Sequence, residues 1–572
     1  MVSFKCVSQI TVALTVIGTL AAGQPLAQAQ EPNPAEATAS PREQELRGQL
    51  KGILQELDDI QKGRESAIPP AERPKTVTEK VKPEQTEAVE ADGTMPEYEL
   101  ADTSIVSKRF QKRPEGVALS STIQAETDSQ PTRTVKESME SLPGVVLRQA
   151  NGPRDFSIAI RGSGVKTSFA VRDIKMYEDG FIQTQSDGLS RLDIHDPWFM
   201  RSVEVLRGAS SSMYDNYALG GMVHFRTRRG SDINGFETFL SGGSYGYHKE
   251  AFAVGQETEH LDISMFASNV QEDGYIRNSG YKTQTLNINM RFKIDDKQNF
   301  YFKAISNWLD SRVPTRLTQA QFIVDDRQVG GTGATTADRL HQQRVDRRTI
   351  VGGMYERQLN ANTVLTVEAD YDVKDINQTF NQISDNINPN YKHYTDLRHD
   401  GRLGDMPLKS YVGFFANSME QEGQTFENLA DGQGTRGLLL QNNRGNIRNI
   451  GARFREELEF APKWILAAGL GFEQSHLSIE TINYTAGAVS SRPNAHRDFT
   501  NVAPEASLTW KPAEGYRHWV RASTGYGLPT FSQLTRDPVT GLPGSNFDLK
   551  PQKNLNTEIG TESSLTKDLK VQ

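Results

Sequence analysis

Cysteine is almost absent: Cys6 is the single example in 572 residues. That excludes a disulfide-stapled scaffold, thiol catalysis and a thiolate metal centre. Long apolar runs are missing too, beyond one in the first 29 residues; mean hydropathy is −0.58 and 36% of residues are hydrophobic. A bundle of membrane-crossing helices is therefore excluded. A membrane β-barrel is not, because its strands alternate lipid-facing apolar with lumen-facing polar residues and average out as polar. There is no excess of basic charge: 64 Lys and Arg against 72 Asp and Glu give a net −8, which argues against nucleic acid as a partner. The chain also lacks a Walker loop, an HExxH helix and a nucleophile elbow. No enzyme, catalytic residue, cofactor or metal site is expected. His195-Asp196, an isolated pair in a loop, reads as structural.

What is present begins with a secretory signal over residues 1–29: Lys5, an apolar stretch from Ile10 to Ala22, and Ala27-Gln28-Ala29 as a cleavage site. The stretch is too short to span a bilayer comfortably, and its removal takes Cys6 with it. Residues 30–97 form an N-terminal extension. Within it, residues 41–66 carry Leu46, Leu50, Ile53, Leu57 and Ile60 at alternating steps of four and three, an amphipathic helix with a narrow seam. Such a helix either docks or serves as a solvated spacer. Residues 67–97, rich in Pro, Glu and Lys, read as disordered. A β-prone hexapeptide, Asp102-Thr103-Ser104-Ile105-Val106-Ser107, precedes a basic run at 108–113.

Residues 134–230 read as a small glycine-punctuated α/β domain. Val135, Met139 and Leu142 sit at helical spacing before Pro143-Gly144 stops the helix. IAIRG (158–162) and VEVLRG (203–208) are short strands ended by Gly162 and Gly208. Asp179-Gly180 marks a turn, and Gly220-Gly221 precedes a last strand.

From residue 235 the pattern changes to long strands of period two. Leu286, Ile288, Met290, Phe292 and Ile294 alternate with polar neighbours. So do Leu365 to Val373, Trp464 to Phe472 and Leu261 to Ala267. About ten residues of strict alternation is long for a soluble sandwich and right for a tilted membrane-crossing strand. Connections are unequal: tight at Asp295-Asp296, long and polar at 311–344, 374–405, 420–446 and 480–500. Trp510 and Trp519 suit an interfacial aromatic belt.

In their order, the LPGV helix end, the IRG strand, the DG turn, the VEVLRG strand and the ALGG close resemble the plug domain of TonB-dependent outer-membrane receptors. RASTGYGLPTFSQL (521–534) and LKPQKNLNTEIGTE (549–562) resemble two landmarks of that family's barrel, and Asp102–Ser107 resembles its TonB box. The resemblance implies an antiparallel membrane β-barrel with an N-terminal α/β plug inside the lumen. The domains would be a periplasmic extension (30–97), a TonB-box region (98–113), a plug (114–230) and a partial barrel (231–572). The family has about 22 strands, whereas only about 13 or 14 can be placed here, and the final third is expected to be missing.

The function implied is active import across the outer membrane of a Gram-negative bacterium, with the box pairing to TonB of the inner-membrane energising complex by β-augmentation. The cargo implied is a ferric siderophore, a reading helped by VPTRLT (313–318) and DDRQ (325–328), which faintly resemble the ferric citrate branch. Alternatives are cobalamin, haem or a glycan as cargo, a passive porin or adhesin, and an inactive fragment. Leu142, Pro143, Gly144, Gly162, Asp179, Gly180, Gly208, Gly220 and Gly221 would be the plug's structural motif. Arg161, Glu204 and Arg207 are expected to pair with barrel carboxylates. Arg148, Gln149, Arg154, Gln183 and Gln185 are expected at the apices that touch ligand, where guanidinium and amide donors suit a metal chelate.

Overall fold

The computed structural model describes residues 114–123, 133–149, 152, 154–165, 170–534, 546, 548–565 and 570–572. The expected signal segment, the helix at 41–66 and the hexapeptide at 102–107 lie outside these residues.

The first part is built on seven short strands: β1 Ala118–Ile123, β2 Val145–Gln149, β3 Phe156–Ile160, β4 Ile174–Glu178, β5 Phe181–Ile182, β6 Met200–Arg207 and β7 Gly221–Thr227. Five make a mixed sheet in the order β1-β6-β7-β4-β5, in which only β4 and β7 run parallel; β2 and β3 form a separate hairpin. The helix Val135–Met139 starts where Thr134 and Glu137 complete a capping box, each side chain meeting the other's backbone N–H. Met139, Leu142, Val145, Ile158, Ile160, Val205 and Phe225 close one apolar core. Gly221 is required by close approach: at φ 126° a Cβ would lie 1.9 Å from the Leu206 carbonyl oxygen.

The rest is one antiparallel wall of strands: β8 Gly235–Gly242, β9 His248–Glu257, β10 Leu261–Glu272, β11 Tyr281–Asp295, β12 Gln298–Arg312, β13 Gln343–Asn360, β14 Thr363–Thr379, β15 Gln382–Leu403, β16 Met406–Asn428, β17 Arg436–Ala461, β18 Trp464–Thr485, β19 Ala488–Ser491, β20 Asn494–Trp510, β21 Tyr516–Gly527, β22 Gln552–Ser564 and β23 Lys570–Val571. The wall thus has 16 strands, more than the 13 or 14 expected; the short β19 and β23 account for the excess. Among the described residues β8 and β23 are its two ends and do not pair with each other. The alternation is realised as read. In β18 Leu466, Leu470 and Phe472 face outward, 45–47% exposed, while Ala467 and Glu473 are fully buried inside.

Three of the expected loops and one belt residue are corrected. Residues 374–405 are not a loop: β14 continues to Thr379, turns over two residues, and β15 runs back to Leu403. Likewise only 429–435 connects β16 to β17, and β18 continues to Thr485. A crossing needs about 9–11 residues, but β17 has 26. The surplus rises above any hydrocarbon, where neither face must be apolar, so the period-two signal fades although the hydrogen-bond ladder continues. Trp510 stacks on Trp464 with centroids 5.8 Å apart, both partly exposed near a tight turn. Trp519 does not join them. It turns inward, 3% exposed, and its indole N–H donates to Glu558 at 2.8 Å.

Candidate functional site

The two ends of the wall differ. At one end the turns are short, as at 296–297, 361–362, 404–405 and 462–463; at the other lie the segments 273–280, 313–342 and 429–435. The described chain enters at the short-turn end. Pro114 and Glu115 are held there by Arg517, Lys511, Arg455 and Glu457, with the Glu115 N–H donating to Glu457 at 2.9 Å and the Pro114 carbonyl accepting from Arg517 at 2.8 Å.

Between the domain of β1–β7 and the wall lie buried ionic clusters. Each places charges that would be costly to desolvate singly within reach of opposite charges. At the Asp179-Gly180 turn, the fully buried Lys303 of β12 bonds Glu178 and Asp179 and donates to Asn289 at 2.6 Å. His195 bonds Glu178, and Asp196 accepts from Lys249 at 2.6 Å, so this pair is structural. In a second cluster Arg191 lies 3.2 Å from Asp155 and 2.9 Å from Asp193, while Arg344 of β13 reaches Asp155, Asp193 and Asp346. Burial opposes the Asp193 charge, but Arg191 and Arg344 outweigh it and hold its carboxyl below the ordinary range. In a third, Glu505 of β20 joins Arg455 and Arg521 and accepts from Ser212 at 2.7 Å. Arg521 also donates to the Ala209 carbonyl, and Tyr526 takes the Tyr217 N–H at 2.7 Å. RASTGYG therefore lies directly against YALGG. Gly525 allows it: a Cβ there would come 2.8 Å from the Leu219 Cα.

The expected contact residues separate on inspection. Arg161 bonds Glu558 of β22. Among the described residues Arg207 reaches no carboxylate within ion-pair distance; it donates to the Pro143 carbonyl at 3.1 Å and to the Gln572 side chain at 2.6 Å. Among the described residues Glu204 makes no ion pair with the wall. It lies 3.1 Å from Arg226 and 3.5 Å from His224 within its own sheet, because β6 and β7 are paired neighbours there. Of the motif residues, Leu142 is in the core, the Gly208 N–H donates to the Gly220 carbonyl at 2.9 Å, and Asp179 accepts from Thr227. Gly144, Gly162 and Gly180 all adopt positive φ.

Above the domain, on the long-loop side, a vestibule of about 1580 Å³ opens between Gln149, Gly152 and Phe156 below and Tyr281, Arg316 and Phe380 of the wall and its loops. Gln149 lines it. Arg148 is exposed beside it and donates to the Val165 carbonyl at 3.4 Å. Arg154 is buried under the floor, donating to the Arg133 carbonyl at 3.2 Å with its guanidinium 5.8 Å from the Tyr281 ring centre. Gln183 and Gln185, expected at an exposed apex, are 0% and 1% exposed. The loop that carries them tucks into the wall: Arg348 bonds the Gln183 carbonyl, Lys392 the Ile182 carbonyl, and Ser186 donates to Asn390 at 2.6 Å. They cannot meet a ligand in this state. The stretch 313–318 does line the vestibule, as does Asp326.

Sequence reasoning did not single out Lys303, Arg344, Arg455 or Glu505. Their only signal is position: each occupies the inward register of an alternating strand, which any lumen-facing charge would share.

Comparison with known proteins adds the family. Residues 113–222 match the TonB-dependent Receptor Plug Domain, and residues 224–570 match the TonB dependent receptor-like, beta-barrel family. The Vitamin B12 transporter BtuB of Vibrio vulnificus (strain YJ016) is 26% identical over 220 residues, 36% of this chain and 35% of that protein. The Hemin receptor of Yersinia enterocolitica is 25% identical over 181 residues, 31% of this chain and 25% of its own length. These matches span about a third of the curated relatives or less. The unliganded ferric citrate transporter FecA superposes with a TM-score of 0.64 at 15% identity, covering 78% of this chain and 68% of that one. Plug and barrel wall occur here in the family's order over most of the described residues, and the chain belongs to the TonB-dependent receptors.

Proposed function

We propose that this chain is an outer-membrane importer that takes a scarce metal chelate, a ferric siderophore in the first instance, from the exterior. Cargo would settle in the vestibule above the plug. The segment before Pro114 would meet TonB on the periplasmic side, its Asp102–Ser107 hexapeptide adding a strand to an edge of that protein. Pulling would then disturb the plug and let the cargo pass. No bond is made or broken in the cargo.

The observation that carries this reading is the arrangement along one axis: a wide vestibule at the long-loop end, a plug keyed to the wall by buried ion pairs, and a chain entry at the short-turn end. A passive pore has no need of a lumen filled this way. The plug motifs Leu142-Pro143-Gly144, Asp179-Gly180 and Gly220-Gly221 serve packing, and Arg161 and Arg207 serve retention of the plug. The cobalamin and haemin relatives support import as the class and leave the cargo open.

Deletion of Asp102–Ser107 tests it. Uptake of a radiolabelled cargo by cells should fall to background while equilibrium binding to the cells is unchanged. Uptake that persists after the deletion contradicts energised import.

A further inference from the structure

This inference deepens the importer reading and rests on it: it concerns the charge of the cargo. The described residues lining the vestibule carry three cations, Arg133, Lys136 and Arg316, and three anions, Glu137, Glu272 and Asp326. Their sum is zero, and most are already engaged. Arg133 lies 3.4 Å from Glu272, Lys136 lies 2.8 Å from Glu140, Glu137 accepts the Thr134 N–H at 2.9 Å, and Asp326 accepts the Tyr275 hydroxyl at 2.7 Å. The remaining polar lining is neutral: six carboxamides and five serine or threonine hydroxyls, against five aromatic rings.

A chelate carrying two or three negative charges loses much of its hydration on entering such a space. It would need an excess of cations there to compensate. None exists among the described lining residues. A near-neutral complex rich in amide and hydroxyl groups has no such requirement. Carboxamides offer both a donor and an acceptor, so they match amide groups edge to edge. Aromatic rings cover the apolar skeleton between. The volume, about 1580 Å³, exceeds the ~300–1,000 Å³ of pockets for drug-sized ligands, so a large macrocyclic or linear chelate has room.

From this balance we infer that the vestibule selects a neutral or singly charged, amide-rich metal complex, of the trihydroxamate or corrinoid kind, over multiply anionic citrate- or catecholate-type chelates.

The test is equilibrium binding to the full chain in detergent micelles with four probes: ferrioxamine B and cyanocobalamin against ferric dicitrate and ferric enterobactin. One of the first two should bind at least about 30-fold more tightly than either anion. Its Kd should change by less than about threefold between 50 and 500 mM NaCl, since little of the attraction is screened. The exposed lining residues Gln319 and Gln382 provide a second arm. The double substitution Gln319→Lys, Gln382→Lys gives the lining a net positive charge and should strengthen ferric dicitrate binding about tenfold.

Tighter binding of an anionic probe, binding of none of the four, or no gain for dicitrate in the double variant each overturns the inference. Failure here is distinct from failure of the importer reading. Ferric dicitrate that binds best and enters cells only when Asp102–Ser107 is intact refutes the cargo class and leaves energised import standing.

Discussion

Lys303 concentrates the logic of the plug seat in one side chain. It is wholly buried, comes from the wall, and satisfies Glu178 and Asp179 of the plug together. Replacing it with Met removes the wall's cation from both carboxylates, leaving Glu178 with His195 and Asn287 and Asp179 with Thr227. We expect a loss of about 3–5 kcal/mol from plug seating, read as faster hydrogen exchange at Met176 to Phe181; unchanged protection would show that the pair is not holding the plug. Gly560 is a second such point. It faces Trp519 across the β21–β22 ladder, and a Cβ there would fall 2.0 Å from the indole. Gly560→Ala should push the ring away from Glu558 at a cost of about 1–3 kcal/mol, seen as a blue- or red-shifted tryptophan emission and a lowered unfolding midpoint.

Acid should loosen the plug sheet through Glu204 and His224. Burial opposes the Glu204 charge, but the His224 hydrogen bond and Arg226 outweigh it and hold its carboxyl below the usual range. Burial also pushes the His224 imidazole below its usual value. Both folded-state values are depressed, so the unfolded chain binds protons first on acidification. The stability these groups contribute is present above their unfolded values and is lost as pH falls from about 6.5 through the carboxylate range. Hydrogen exchange of β6 and β7 amides, corrected for intrinsic pH dependence, should show protection falling across that interval. Flat protection from pH 7 to 4 would contradict it.

At the scale of elements, what could be read beforehand divides cleanly. The barrel strands were legible wherever one face must be apolar, as in β11, β14 and β18, because outward apolar residues are imposed by hydrocarbon. The same strands were illegible above that zone, so 374–405 read as a loop. The plug was legible from turn chemistry, since Asp179-Gly180 and Gly220-Gly221 meet local backbone demands. Its partners were not: Lys392 and Asn390, which bury the 182–187 loop, lie about two hundred residues away in sequence, and nothing local in Gln183 or Gln185 announces them. The role of Glu204 is illegible for a related reason: only the pairing of β6 with β7 brings its cross-strand partners Arg226 and His224 beside it. Arg161 and Arg207 remain the proposed latches of the LPG corner. Combined Arg161→Ala and Arg207→Ala substitution should admit large hydrophilic antibiotics, lowering their inhibitory concentration severalfold in cells that express the variant. Parental resistance together with parental uptake would remove these two residues from plug retention.

Outside the plug's own apolar core, the described wall has a polar inner face and an apolar outer face, the inverse of a soluble protein. Buried arginines such as Arg344, Arg453, Arg455 and Arg521 are among its largest fully enclosed side chains, while Leu470, Phe472 and Val502 stand outside, about half exposed. In water that exterior would be a large adhesive surface. In lipid it is the solvated face, and the ladder from β8 to β23 pairs the backbone groups between neighbouring strands. Import, plug retention and cargo choice all presuppose this placement. Single cysteines introduced in a Cys6→Ser background at Leu466, Leu470 and Phe472, and at Ala467 and Ser475, measure it directly in reconstituted vesicles with an apolar, lipid-partitioning thiol reagent. The first three should react and the last two should be protected, in strict alternation along β18. Equal labelling of all five by a water-soluble maleimide, with no alternation, would contradict a lipid-embedded wall around a plug.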